Sequence, residues 1–290
     1  MSKKRFIMLF SFIMVIGVAV FLFLQPDKEQ TQPVPSDPSE QETEEEATVE
    51  KPEEEESLIQ TVRERMVGVF TFLQNDTHIT AIGDSLTQGV GDEFDNGGYV
   101  GILEDQLEAG NVRVTIDNFG VRGNRTDHLL ERLEEKPEIN ESLEEADIVL
   151  ITIGANDIMQ ITKDNFMNLT EEPFINEREP YSERLTNILE HMTEIQPEAR
   201  IYLLGIFNPF EMYFGEIEEL DRIVTQWNNT SLQVTNQFEQ ARFIPMQDIF
   251  QHTNGDVFAE DNFHPNHSGY QLMADRVITY LQNDIQEAQN

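Results

Sequence analysis

Three regions follow one another along the chain, each with its own pattern of apolar and polar positions. Residues 6–24 form a largely apolar run of nineteen residues without a charge or a proline. As a helix this run is ~28 Å long, close to the ~30 Å hydrocarbon core of a bilayer. Ser2-Lys3-Lys4-Arg5 precedes it and Gln25-Pro26-Asp27 ends it. Positive charge before the span and acid after it orient the amino end inwards and the rest of the chain outwards. No small-x-small cleavage pattern follows. The span therefore reads as an uncleaved anchor, with secretion after signal cleavage as the alternative.

The second region, 27–56, holds thirteen Asp or Glu and two Lys, with no aromatic residue. It cannot bury enough apolar surface to offset the entropy of ordering, and its like charges keep it extended. It is a linker.

The third region is globular. Leu58, Ile59, Val62, Met66, Val69, Phe70 and Leu73 recur at three- and four-residue steps, the mark of an amphipathic helix. Five strand-like runs follow at 79–83, 112–119, 147–153, 200–207 and 242–249. Most are near-continuously apolar, as strands buried on both faces of a parallel sheet are. Helical periodicity lies between them at 100–109, 127–135, 182–195 and 219–238. A last helix opens at Ser268, where Ser268 and Gln271 have capping-box spacing. Alternation of this kind predicts an α/β fold with three layers, α/β/α, around a five-stranded parallel sheet. The domain boundaries expected are 1–25 for head and anchor, 26–57 for the linker and 58–290 for the globular domain.

Composition narrows the function classes. The chain carries 55 acidic against 19 basic side chains, a net charge of −36, and the excess persists beyond the linker. Such a polyanion repels phosphate backbones, so no nucleic-acid partner is expected. There is no cysteine, which removes disulfides, thiolate metal sites and thiol nucleophiles.

In a doubly wound sheet, ligands bind beyond the carboxyl ends of the strands. After the first apolar run comes Gly83-Asp84-Ser85-Leu86, after the second Asn118-Phe119-Gly120-Val121-Arg122-Gly123, and after the third Gly154-Ala155-Asn156-Asp157. Asp261-Asn262-Phe263-His264-Pro265 stands near the end. Ser85 at a strand-to-helix turn is either a helix cap or a nucleophile, and a serine nucleophile needs a base. His264 can be that base, with Asp261 three residues earlier to hold its tautomer. His267 competes but has no acid at the same spacing. Acyl transfer also needs oxyanion donors. The backbone N–H groups of Ser85 and Gly120 and the side-chain amide of Asn156 are the candidates, although a turn glycine and a loop asparagine have the same appearance.

Taken together and in order, Gly-Asp-Ser-Leu, Gly120, Gly154-x-Asn156-Asp157 and Asp261-x-x-His264-Pro265 resemble the SGNH (GDSL-type) hydrolases over roughly residues 79–287. The resemblance implies a flavodoxin-like fold and no metal or organic cofactor. It makes Ser85 the nucleophile, His264 the base and Asp261 its partner, with Ser85, Gly120 and Asn156 as the oxyanion hole. Joined to the anchor and linker read above, it makes the expected protein a membrane-tethered, extracytoplasmic serine esterase or lipase. The substrate is then an acyl ester, either a lipid or an acetylated envelope glycan. An acyltransferase needs the same residues, and a non-catalytic lipid- or glycan-binding protein is the rival from another class. Two insertions, 159–181 and 208–214, flank the expected site. Phe210 and Tyr213 of the second are candidates to line an acyl pocket. Arg122 is a candidate for an anionic group on the substrate, with pairing to nearby acids as the alternative for it and for Arg125.

Overall fold

The computed structural model describes residues 77–94, 96–110, 112–208, 218–251 and 257–288. The apolar span, the acidic linker and the amphipathic pattern over 58–73 lie outside them, as do Phe210 and Tyr213. Among the described residues no helix is long and apolar enough to cross a membrane.

Five strands form one parallel sheet: β1 (Thr77–Gly83), β2 (Val114–Gly120), β3 (Ile148–Thr152), β4 (Arg200–Leu204) and β5 (Ala241–Ile244), in the spatial order β2-β1-β3-β4-β5. That is the flavodoxin-like winding, whose strand order reverses between β1 and β3. Nine helices are described: α1 (Ser85–Gln88), α2 (Gly98–Ala109), α3 (Thr126–Glu135), α4 (Pro137–Glu145), α5 (Ala155–Asp164), α6 (Glu172–Ile195), α7 (Glu218–Thr235), α8 (Gln247–Phe250) and α9 (His267–Ala288).

Successive strand residues point to opposite faces, and this sorts the core into two layers. Ile79, Ala81, Ile148, Leu150, Tyr202 and Leu204 join Tyr99, Leu103 and Leu107 of α2 and Tyr270, Met273 and Val277 of α9. Ile82, Val149, Ile151, Ile201 and Leu203 pack instead on α3 to α7, around Leu129, Leu143, Tyr181, Leu185 and Trp227. The three-layer architecture read from the sequence is the one observed. Edge position explains why no residue of β2 is fully buried while β3 is buried throughout.

Several element limits differ from the sequence reading. β5 stops at Ile244 because Pro245 has no N–H to donate, and a helical turn follows in place of more strand. The 159–181 segment is not a looped insertion. It contains most of α5, a 3-10 turn at Phe166–Asn168 and the first turns of α6. α6 runs through Pro180, and its buried face of Phe174, Tyr181, Leu185 and Ile188 continues at helical spacing across that residue. α9 begins one residue early. Its cap is Asn266, whose Oδ1 accepts the Gly269 N–H at 3.0 Å, whereas Gln271 bonds Asp275. The Ser268–Gln271 capping box does not form.

Register brings the site residues level. Gly83 pairs with Gly120 on one side and with Thr152 on the other. The chain therefore leaves β1, β2 and β3 at the same edge of the sheet, at the switch point.

Candidate active site

Ser85 is the first residue of α1 and is buried, 3 % exposed. Asp84 caps this four-residue helix by accepting the Leu86 N–H at 3.0 Å. The Ser85 N–H, at the open end of the helix, has no partner among the described residues, the usual fate of a first-turn donor.

The base arrives from the other end of the chain. His264 Nε2 lies 3.0 Å from Ser85 Oγ, and His264 Nδ1 lies 2.6 Å from Asp261 Oδ2. The local fold explains the second contact. Asn262 adopts φ 51°, in the left-handed region where asparagine is among the more tolerated residues. This curls the chain so that Asp261 Oδ1 accepts the N–H groups of both Phe263 (3.0 Å) and His264 (2.9 Å) while Oδ2 holds the ring. Burial works against the charged carboxylate. The bonds from the His264 ring and from the two N–H groups outweigh it, so the Asp261 pKa lies below the usual carboxylate value. A buried imidazole held by a carboxylate and touching a hydroxyl can take the hydroxyl proton.

Asn156 sits in the first turn of α5, and its Nδ2 donates one hydrogen to Asn124 O at 3.0 Å. The other amide hydrogen is left for a ligand. Ser85 and Asn156 line the same pocket.

Gly120 does not supply the donor expected of it. Its N–H goes to Asn118 Oδ1 at 2.9 Å. The residue must be glycine for a packing reason, because a Cβ there would lie 2.1 Å from Gln88 N. Gly123, three residues on, has φ +79° and open space around it. It belongs to the turn closed by Asn124 N–H to Val121 O (3.1 Å), and its own N–H has no partner among the described residues. The carbonyl of the next residue is the one that accepts Asn156. Gly123, in place of Gly120, is thus the glycine whose amide is available beside Asn156. Arg132 steadies this loop through Phe119 O (2.7 Å) and Asn124 Oδ1 (2.9 Å).

Of the remaining sequence candidates, Arg122 is exposed and its backbone N–H donates to Gln88 Oε1. Arg125 pairs with Asp127 at 2.6 Å, the structural alternative. Asp157 has a supporting part that its position after Asn156 did not disclose. It accepts Thr126 Oγ1 (2.5 Å) and Thr126 N–H (3.1 Å) and meets Arg184 (3.3 Å), which ties α3 and α6 to α5. Among the described residues no cluster of His, Asp and Glu is arranged to hold a metal.

A profile of the GDSL-like Lipase/Acylhydrolase family matches residues 81–272. The chain belongs to this family. Among curated relatives, the uncharacterised protein YpmR of Bacillus subtilis is 37 % identical over 210 residues, covering 71 % of this chain and 82 % of that one. The spore germination lipase LipC of Bacillus licheniformis is 28 % identical over 203 residues, covering 68 % and 93 %. Among solved structures, the lipase Lip_vut3 from a goat rumen metagenome superposes with a TM-score of 0.62 at 27 % identity. It covers 69 % of this chain and 95 % of its own. As a GDSL-like acylhydrolase the protein is a carboxylic-ester hydrolase.

In this acylhydrolase the acid of the Gly-Asp-Ser-Leu motif has its own electrostatic signature. Asp84 is 1 % exposed and accepts the Thr152 hydroxyl as well as the Leu86 N–H. Burial raises its pKa from 3.8 to about 7, although both hydrogen bonds pull the other way. An unfolded Asp ionises near 3.8 and the folded one near 7. The folded state therefore holds an extra proton between these values and loses stability as pH rises through the window, on the order of 4 kcal/mol. Asp84→Asn retains the acceptor oxygen and removes the charge. Its melting temperature relative to wild type should be several degrees more favourable at pH 8 than at pH 4.5. An identical difference at both pH values in thermal unfolding contradicts this assignment.

Proposed function

We propose that this hydrolase cleaves carboxylic esters through an acyl-enzyme on Ser85. The observation that carries the reading is the unbroken hydrogen-bond chain from Asp261 to His264 to Ser85, 2.6 and 3.0 Å long, which joins residues 179 positions apart. Ser85 Oγ attacks the ester carbonyl as His264 Nε2 takes its proton. Asp261 keeps Nδ1 protonated and stabilises the imidazolium. The carbonyl oxygen becomes an oxyanion facing the Ser85 N–H, the Gly123 N–H and the Asn156 amide. The intermediate collapses, and the alcohol leaves with the proton from His264. Water then attacks the acyl-enzyme with His264 again as base, which releases the acid and restores Ser85.

Because the oxyanion exists chiefly in the transition state, Asn156→Ala should lower kcat on a nitrophenyl ester about 10²–10³-fold with KM little changed. Steady-state kinetics on the folded variant checks this. Unchanged kcat, or no hydrolysis of any carboxylic ester by wild type, contradicts the proposal.

The location is part of the same reading. Residues 6–24 anchor the protein in a membrane and the acidic linker holds the hydrolase domain on the far side. The support is the nineteen-residue apolar span, the basic head before it and the acid after it. Fractionation of the full-length protein, with mass spectrometry of its amino terminus, tests this. An intact terminus in the membrane fraction is expected, and a chain beginning after Leu24 in the medium contradicts it.

A further inference from the structure

We infer that Arg184, in the middle of α6, is a positioning residue for the oxyanion site: through Thr126 and Asp157 it fixes the turn of α5 that aims the Asn156 amide. This rests on the oxyanion role given to Asn156 above and adds a side chain from outside the four sequence motifs. The amide needs such a device. α5 starts at Gly154, with φ 111° and no side-chain cap, so its own end does not brace its first turn. Asn156 Nδ2 donates to Asn124 O at 3.0 Å. One bond alone leaves the amide able to swing about it, and an oxyanion donor acts only where it is held in place before the charge develops.

A second link supplies the constraint. Asp157, the next residue of α5, bonds Thr126, which lies just beyond Asn124 in the chain. The Thr126 hydroxyl donates to Asp157 Oδ1 at 2.5 Å, and the Thr126 N–H donates to Oδ2 at 3.1 Å. Asn156 and Asp157 thus grip one short segment at two points, which sets the direction of the remaining amide hydrogen. Arg184 fixes the second grip. Its Nε donates to Thr126 Oγ1 at 2.7 Å, which leaves the hydroxyl hydrogen to point at Asp157. Its Nη2 lies 3.3 Å from Asp157 Oδ1 and 3.0 Å from Glu177 Oε1. A guanidinium serves these acceptors together because its donors are held in a planar fork. Thr126 and Asp157 are both buried, so water does not compete for these bonds. Burial pushes the Asp157 pKa up, and the Thr126 bonds and the Arg184 charge oppose this.

The linkage acts on Asn156 rather than on the other two donors. The turn that carries Gly123 is closed by its own bond from Asn124 N–H to Val121 O and is held separately by Arg132. The Ser85 N–H belongs to α1, which Asp84 caps. Loss of the bond between Arg184 and Thr126 therefore displaces the Asn156 turn while the Gly123 and Ser85 donors stay. The partners of Arg184 are Thr126, Asp157 and Glu177, none of them an oxyanion donor. Its effect on turnover passes through Asn156.

The test is a double-variant cycle in the full chain, with kcat and KM measured on a nitrophenyl ester. Thr126→Val removes the hydroxyl and should lower kcat about tenfold or more with KM changed less than about twofold. Thr126→Ser keeps the hydroxyl and should restore kcat to within about threefold of wild type. With Asn156→Ala already in place, Thr126→Val should cost less than about twofold more, because the group it positions is gone. Arg184→Gln, at a side chain that is partly exposed, should show the same pattern and carries the test if thermal unfolding finds Thr126→Val unfolded. A loss of equal size with and without the Asn156 amide overturns the inference and leaves the hydrolase reading intact. So does a rise in KM alone, or an unchanged kcat in a folded variant at Thr126 or Arg184. An unchanged kcat in Asn156→Ala itself overturns the oxyanion reading and this inference with it.

Discussion

Ser85→Ala and His264→Ala should each lower kcat on a nitrophenyl ester by about four orders of magnitude or more, and the double variant should be little worse than either. In the proposed mechanism the two groups act as one unit through the 3.0 Å contact between Oγ and Nε2. Once the hydroxyl is gone the imidazole has no proton to take, and once the imidazole is gone the hydroxyl stays protonated. Residual turnover comes from the oxyanion donors acting on water. Circular dichroism should show both variants folded, since Ser85→Ala removes one oxygen and the cap of α1 is Asp84. Effects that add, so that the double variant loses the product of the two single losses, would show that the residues work separately.

Asp261→Asn should have the next largest effect, up to about 10⁴-fold in kcat, because an amide can donate its N–H to Nδ1 and so select the wrong tautomer. It should also lose stability with a defined pH signature. The folded pKa of Asp261 is lowered, since the bonds from His264 and Phe263 outweigh burial. The stabilisation is therefore fully present above the unfolded value of 3.8 and is lost as pH falls through the lower folded value. The gap in stability between wild type and variant should stay level from pH 9 down to about 5 and close only below about 4. Denaturant unfolding across that range measures it. A gap that closes instead between pH 6 and 8 assigns the stabilisation to a different group.

What the sequence disclosed was what short segments settle among themselves. Gly-Asp-Ser-Leu at the end of an apolar run and Asp261-x-x-His264 each carry their geometry within four residues. The capping acceptor, the left-handed Asn262 and the carboxylate turn are all local. β1, β3 and β4 are legible for a related reason: a run buried on both faces is apolar at nearly every position.

The misplaced or missed features depend on partners distant in sequence or on the identity of one neighbour. Gly120 and Gly123 both stand in the right segment, and the Asn118 side chain decides which amide is left over. His267, set aside for want of an acid at three residues, does have one in Asp92, 3.1 Å away and 175 positions earlier. α4 leaves no period in the sequence because it buries only Ile139, Ser142 and Leu143. α6 extends the helical pattern of 182–195 back through Pro180, whose missing N–H is tolerated where Phe174 and Tyr181 are buried on either side of it. The call on Phe210 and Tyr213 lies outside the described residues; the described part of the pocket includes the end of β4, where Asn228 on α7 bonds Ile206.

The central claim is that Ser85, activated by His264, is the nucleophile. Its most direct test is reaction of the full chain with a fluorophosphonate, followed by digestion and mass spectrometry of the labelled peptide. One equivalent of label is expected on Ser85, slowed by at least a thousandfold in His264→Ala and absent in Ser85→Ala. Label on another residue, or undiminished labelling of Ser85→Ala, would contradict it.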